Sequence, residues 1–297
     1  MRSNVLSRRQ FVALTGAALL APSALGAQTE ALTARQAIER IKKHVGVPWQ
    51  YRNNDKGRHT VDTFKAGNPD TRIRGIATSF MSTLDVLQRS AAAGLNLIIT
   101  HEPTFWNGMD SLDGLTDDPL YLHKMKFIKD NDLVIWRFHD HWHARRPDGI
   151  FEGWIKELGW EEYVDEEDPR LFVLPKTTTL EAVVQEVKIR LKSDSIRVIG
   201  DPQLKVRKVR RGSHNLDGNV AAAPHADTLL VSEAREVDSI EWMRDTVLSG
   251  QKKAMILIAH EKGEEAGMDN CARWLRTFIT EKPVEFISSG EPYWTPA

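Results

Sequence analysis

Three apolar runs of strand character each end on a histidine, and this recurrence constrains the fold more than any other feature of the chain. Leu95-Asn96-Leu97-Ile98-Ile99-Thr100 leads into His101-Glu102-Pro103, Val134-Ile135-Trp136-Arg137-Phe138 into His139, and Ala254-Met255-Ile256-Leu257-Ile258-Ala259 into His260. Runs of this kind, apolar without alternation, belong to strands covered on both faces, as in the parallel sheets of α/β proteins. Pro103 cannot continue a central strand, so the first run stops there. Ligands of open α/β sheets lie in the crevice beyond the carboxyl ends of the strands. The three histidines are therefore expected to converge on one metal-binding site.

Around these runs the spacing predicts an ordered alternation. A helix over residues 31–46, a strand over 73–77, a helix capped by Ser82 or Thr83 and stopped by Gly94, and the run to His101 make one β-α-β unit with a right-handed crossover. Pro119 opens a further helix, the run to His139 follows, and residues 149–158 form a helix closed by Gly159. The acidic loop 161–168 separates an N-terminal half, 31–165, from a C-terminal half, 171–297. In the second half, strands are expected at 171–174, 195–200, 228–231, 254–259 and 284–287, with helices at 178–191, 240–248 and 263–279. The basic run 205–211 reads as a solvated edge strand. The fold expected is α/β, with two intimately associated halves around a metal cleft at the sheet edges.

The chain of 297 residues is long enough for a full core. Its formal charge is −1, and the three arginines of residues 1–27 face no acid there, so the remainder is more acidic still. That balance, with no strong basic stripe, excludes nucleic acid as the expected partner. The single cysteine, Cys271, rules out an internal disulfide and thiolate-rich metal sites, and is read as a packed small hydrophobe. Ser7-Arg8-Arg9-Gln10-Phe11-Val12, followed by a short alanine-rich apolar stretch, resembles the twin-arginine export signal of bacteria. Residues 1–27 are accordingly expected to be removed, leaving a periplasmic protein without stable membrane insertion.

Chemistry concentrates in three clusters. His101-Glu102 places an imidazole beside a carboxylate at a strand end. His139-Asp140-His141-Trp142-His143 places three imidazoles on one face if extended, whereas a helical turn pairs His139 with His143; His141 is the one expected to be idle. His260 and Glu264 share a face once the chain is helical, with Glu261 and Glu265 as solvated neighbours. Imidazole and carboxylate ligands suit Zn, Mn or Fe.

Taken together these segments resemble the Nif-three-like dinuclear metal-centre proteins, whose bacterial members are often labelled GTP cyclohydrolase type two. Residues 75–106 resemble the family's strand, helix and strand ending in Ile-Thr-His-His-Pro, and 138–159 its His-x-x-x-Asp segment and helix. Residues 226–233 resemble its Ala-Asp-x-x-x-Thr-Gly-Glu strand, and 259–267 its Gly-His-x-x-x-Glu-x-x-Gly turn. Two positions depart from the pattern: the second histidine of the pair is Glu102, and the aspartate is His143. Histidine and carboxylate have changed places, so the ligand count is kept. The resemblance implies two divalent ions held by His101, Glu102, His143, His260 and Glu264, with His139 either a further ligand or a partner that orients one. It also implies a hexameric ring. A metal-dependent hydrolase of a small anionic substrate, phosphoester or nucleotide-like, is expected, with Glu102 and Glu233 as proton carriers. The alternative is a non-enzymatic metal-binding or oligomeric module.

Overall fold

In the computed structural model, residues 32–49, 52–53, 58–294 and 296 are described. The expected export signal lies outside them. Thr33 caps α1 (Ala34–His44) through a reciprocal pair of bonds with Gln36, and Ala34, Ala37, Ile38 and Ile41 bury one face of that helix. A two-stranded ribbon follows, β1 (Arg52–Asn53) with β2 (Arg58–His59), and then β3 (Phe64–Ala66). The first β-α-β unit is β4 (Ile76–Met81), α2 (Leu84–Ala92) and β5 (Leu97–Glu102), continued by α3 (Pro119–Asp130) and β6 (Val134–Arg137). Next come the short α4 (Asp140–Ala144) and α5 (Gly149–Leu158), the latter closed by left-handed Gly159.

After the acidic loop run β7 (Leu171–Thr179), α6 (Leu180–Leu191), β8 (Arg197–Ile199) and β9 (Lys205–Arg211). The chain ends with α7 (Leu216–Ala222), β10 (Thr228–Val231), α8 (Glu241–Leu248), β11 (Ala254–Leu257), α9 (His260–Leu275) and β12 (Val284–Phe286).

The strands form two five-stranded sheets, in the orders β12-β4-β5-β6-β3 and β7-β9-β10-β11-β8. In the first, β12, β4, β5 and β6 are parallel and only β3 runs against them. In the second, β9, β10 and β11 are parallel between two antiparallel edges. Both are mixed sheets with a parallel centre, as the unalternating apolar runs require. The first sheet is covered on one side by α1 and α9 and on the other by α2 and α3. The second has α5 and α6 on one side and α7 and α8 on the other. Strand β12 follows the C-terminal sheet in the chain yet pairs with β4 in the first, so the two sheets share the end of the chain.

Helices α5 and α9 bridge the sheets at very close range. A Cβ on Gly153 would lie 2.4 Å from the Ala266 carbonyl oxygen, and one on Gly267 2.4 Å from Ile150 Cα. Only residues without a side chain allow this backbone approach. It brings the start of α9 to the ends of both sets of parallel strands.

Three local expectations change. The strand placed at 73–77 runs over Ile76–Met81, because Ile73 and Arg74 spend their backbone N–H groups on the Leu32 carbonyl and the Asn96 side chain. The basic run 205–211 is not an edge: β9 lies between β7 and β10, with Val206 and Val209 both buried. Irregular register in β7 between Val173 and Thr178, around Pro175, accompanies this departure from alternation. The last helix begins at His260 rather than Gly263, with Gly263 as a close-packing position, since a Cβ there would lie 2.4 Å from Ser232 Cβ.

Candidate metal centre

The carboxyl ends of five parallel strands, from both sheets, supply the cluster. From the first sheet, β5 ends in His101-Glu102 and β6 leads into His139 and the α4 turn. From the second, β9 leads to His214, β10 to Ser232-Glu233, and β11 to His260 and then Glu264 on α9. Because α4 is helical, His139 and His143 fall on one face and stack with or abut the fully buried His101, with ring centroids 4.5–4.9 Å apart. His141 points the other way, onto Asp62 at 2.6 Å and the Trp49 ring, and stands outside the cluster.

Each ring of the first sheet is anchored by one nitrogen. His101 Nδ1 donates to the Phe138 carbonyl at 3.2 Å, His139 Nδ1 to Asp140 at 3.0 Å, and His143 Nδ1 to Asp148 at 3.0 Å. Those acceptors are themselves held: Asp140 accepts from Thr60 and Val61, and Asp148 caps α5. Anchoring Nδ1 in this way leaves Nε2 as the free lone pair, the arrangement usual for metal-ligating histidines.

The free atoms converge. His101 Nε2 lies 3.3 Å, and His260 Nε2 3.1 Å, from Glu264 Oε2. All three atoms are buried and make no hydrogen bond. Glu102 Oε1 stands across from them, 4.0 Å from His260 Nε2 and 3.8 Å from His139 Nε2. A buried polar atom without a partner costs about 1–3 kcal/mol, so three meeting at one point call for a common partner. A cation satisfies all three at once. Ligand atoms on one tetrahedral ion are roughly 3.3 Å apart, from bond lengths of about 2.0–2.1 Å. The donor set fits a metal ion, and in three groups one ligand atom from each residue lies within 4.8 Å of the others: His101, His139 and His143; His101, Glu102 and Glu264; and His214, Glu233 and His260.

Two arginines, Arg137 buried and Arg211 half-buried, hold the acids in place. Arg137 donates to Glu102 Oε2 at 3.1 Å, to the His101 carbonyl at 2.9 Å, and to Gly108 and Asp110 in the following loop. Arg211 lies over the Phe151 and Trp154 rings and reaches Glu264 Oε1 at 3.5 Å. Burial opposes charge on Glu264, His260 and His101, and neighbours reverse its effect on the first two. For Glu264 the facing imidazoles of His101 and His260 outweigh burial and hold the carboxyl well below its usual range. For His260 the surrounding Glu233, Glu264 and Glu102 outweigh burial and push the pKa up to about 10. His101, buried beside His139, is pushed down.

All of the expected site residues therefore meet: His101, Glu102, His139, His143, His260, Glu264 and Glu233. The two acids expected to carry protons are placed differently. Glu102 is within the ring of donor atoms, whereas Glu233 faces the outward nitrogen of His260, Nδ1, at 3.2 Å. Sequence reasoning missed His214, Arg137 and Arg211. His214 carried a readable signal, since it follows β9 by three residues just as His260 follows β11. Arg137 and Arg211 lie at strand ends too, but nothing local distinguishes a buried arginine there from a solvated one.

Fold and site together define a class: an α/β protein of two mixed sheets whose strand ends converge on a buried histidine–carboxylate cluster able to bind a metal ion. The chain belongs to the Duf34/NIF3 (NGG1p interacting factor 3) family, whose profile matches residues 28–292. Its fold is similar to that of Staphylococcus aureus protein SA1388 (16% identity, 90% of this chain and 100% of that one, TM-score 0.66). It is also similar to that of a Bacillus cereus protein related to NIF3 (12% identity, 90% and 100%, TM-score 0.68). Reduced HcgD from Methanocaldococcus jannaschii shares it more loosely (15% identity, 86% and 97%, TM-score 0.57). Comparison with curated proteins gave no match.

Proposed function

We propose that the cluster holds two divalent ions, of Zn, Mn or Fe, and hydrolyses a small anionic substrate of phosphoester or nucleotide-like character. The observation that carries this reading is the convergence of His101 Nε2, His260 Nε2 and Glu264 Oε2, buried and without hydrogen bonds. His101 with the His139–His143 face supplies one set of donors, His260 with Glu102 the other, and Glu264 lies between them.

When bound, such ions polarise a phosphoryl oxygen and lower the pKa of water. The chain's own residues do the rest. Arg137 and Arg211 already face Glu102 and Glu264, so these carboxylates are partly neutralised before any ion enters. The ions' charge is thus left to attract an anion. Glu102 keeps Oε2 on Arg137 and turns Oε1 into the site, where it can hold a proton in transit.

The reading extends to export and assembly. The twin-arginine sequence at residues 7–12, ahead of a family match that begins at residue 28, supports removal of a signal before the protein acts in the periplasm. Among the described residues no helix is long and apolar enough to cross a membrane. N-terminal sequencing of periplasmic material should start near Ala27 or Gln28, and the mature protein should run as a hexamer by light scattering.

The decisive experiment combines elemental analysis of the purified protein with turnover of phosphoester, nucleotide and amide substrates after addition of Mn or Zn. Stoichiometric metal with turnover supports the hydrolase. Stoichiometric metal without turnover on any class supports a binding module instead.

A further inference from the structure

His260 presents different nitrogens to two separate surroundings. Its Nε2 turns inward to Glu264, while its Nδ1 turns outward to Glu233 Oε2 at 3.2 Å. Glu233 Oε2 is also 3.4 Å from His214 Nδ1. The His214 and His260 rings meet edge to face with centroids 4.7 Å apart. One donor atom from each of His214, Glu233 and His260 lies within 4.8 Å of the other two. The two measured separations are those of ligands around one ion, roughly 3.3 Å apart. His214 is also anchored as a ligand would be. Its Nε2 lies 3.2 Å from Ser232 Oγ, and donation there leaves the Nδ1 lone pair facing Glu233. Ser232 is in turn immobilised against Gly263 at the start of α9, where there is no room for even a Cβ.

We propose that His214, Glu233 and the outward face of His260 form an outer divalent-cation position, distinct from the inner centre and open to solvent. It rests on the inner reading because His260 is shared: with an ion on each nitrogen that ring is a bridging imidazolate, its Nδ1 proton passing to solvent as the outer ion displaces the bond to Glu233. Two imidazoles and one carboxylate on one side of an ion leave its remaining positions to water, a donor set suited to Fe, Zn or Mn. Side-chain exposures of 43% for His214 and 54% for Glu233, against 4% for Glu264, make the outer ion the one that exchanges with solution. It stands one imidazole from the inner centre, where an incoming ion or a substrate anion would first be met.

The test is the metal content of the full mature protein after equilibration with Zn2+ alone, followed by dialysis against a weak chelator, for wild type, His214→Ala and His214→Asp. Wild type should take up about three equivalents and His214→Ala about two, the lost one being the equivalent that dialysis removes most easily. His214→Asp, which keeps an oxygen donor, should restore it. Circular dichroism and retention of the slow equivalents show that His214→Ala is folded. Equal uptake by wild type and His214→Ala overturns the outer position while leaving the inner centre standing. A wild type that takes up no ion overturns both.

Discussion

His101 lies at the end of one parallel strand and His214 just beyond another, and both face the cluster, yet the first is fully buried and the second is 43% exposed. The first sheet makes a floor sealed at His101 and half-buried at His139 and His143. There the rings of His101, His139 and His143 pack on one another, each anchored through Nδ1, with Arg137 closing the gap beneath Glu102. The second sheet makes an open rim at His214 and Glu233, with His260 turning inward from it at 25% exposure. The same residue types thus face different tasks. Floor residues must be paired and rigid because unpaired polarity there is costly. Rim residues can exchange their partners with water.

The largest effects should fall on metal affinity at the inner donors, His101 of the floor and His260 where the rim turns inward. His101→Ala and His260→Ala each remove a donor atom, and the loss should exceed the roughly 10–100-fold typical of substitutions behind the ligands. Elemental analysis after dialysis checks this, with circular dichroism to show an intact fold. If His101→Ala keeps metal at the wild-type level, the floor is not the metal site.

Stability should divide in the same way. Arg137→Met leaves Glu102 and Asp110 without their buried guanidinium and should cost about 3–5 kcal/mol in chemical denaturation. Arg197→Ala breaks an exposed pair with Glu236 and should change stability by less than about 1 kcal/mol. Similar costs for the two would erase the distinction.

A subtler variant sharpens it. Asp148→Asn keeps a good helix cap for α5 but weakens the anchor of His143. Metal affinity should fall about 10-fold or more while the melting temperature hardly moves. A fall in both, or in neither, would place His143 outside the centre.

A pH-dependent effect concerns Lys124, which lies behind the floor, 1% exposed, with Nζ donating to the Thr104 carbonyl at 2.6 Å. Burial lowers its pKa to about 8, against about 10.4 for an unfolded lysine. Between those values the unfolded chain binds the extra proton, so stability should rise as pH increases from about 8 to about 10. Urea denaturation across that range should show the rise in wild type, and Lys124→Met should flatten it.

Much of this could be read before any coordinates. The unalternating runs at 95–100, 134–138 and 254–259 named the parallel centres of both sheets, and Gly159, Thr83 and Pro119 marked helix ends where helices do begin or stop. The helical alternative for 139–143 left His139 and His143 on one face, as found. His260 and Glu264 were legible as a pair because one turn of helix brings them together. Cys271 is a buried free thiol, its pKa raised by burial.

What the linear order left open are relations between distant segments. The place of the basic run 205–211 in the interior of a sheet depends on β7, and the return of β12 to β4 joins residues about two hundred positions apart. Residue types, strand ends and helical spacing were determined by the sequence, since propensity and periodicity act over a few residues. The floor, the rim, the arginines beneath the acids and the pairing of His214 with Glu233 were decided by the tertiary structure. There, close packing of α5 on α9 and two converging sets of strands set which atoms meet and which are sealed from water.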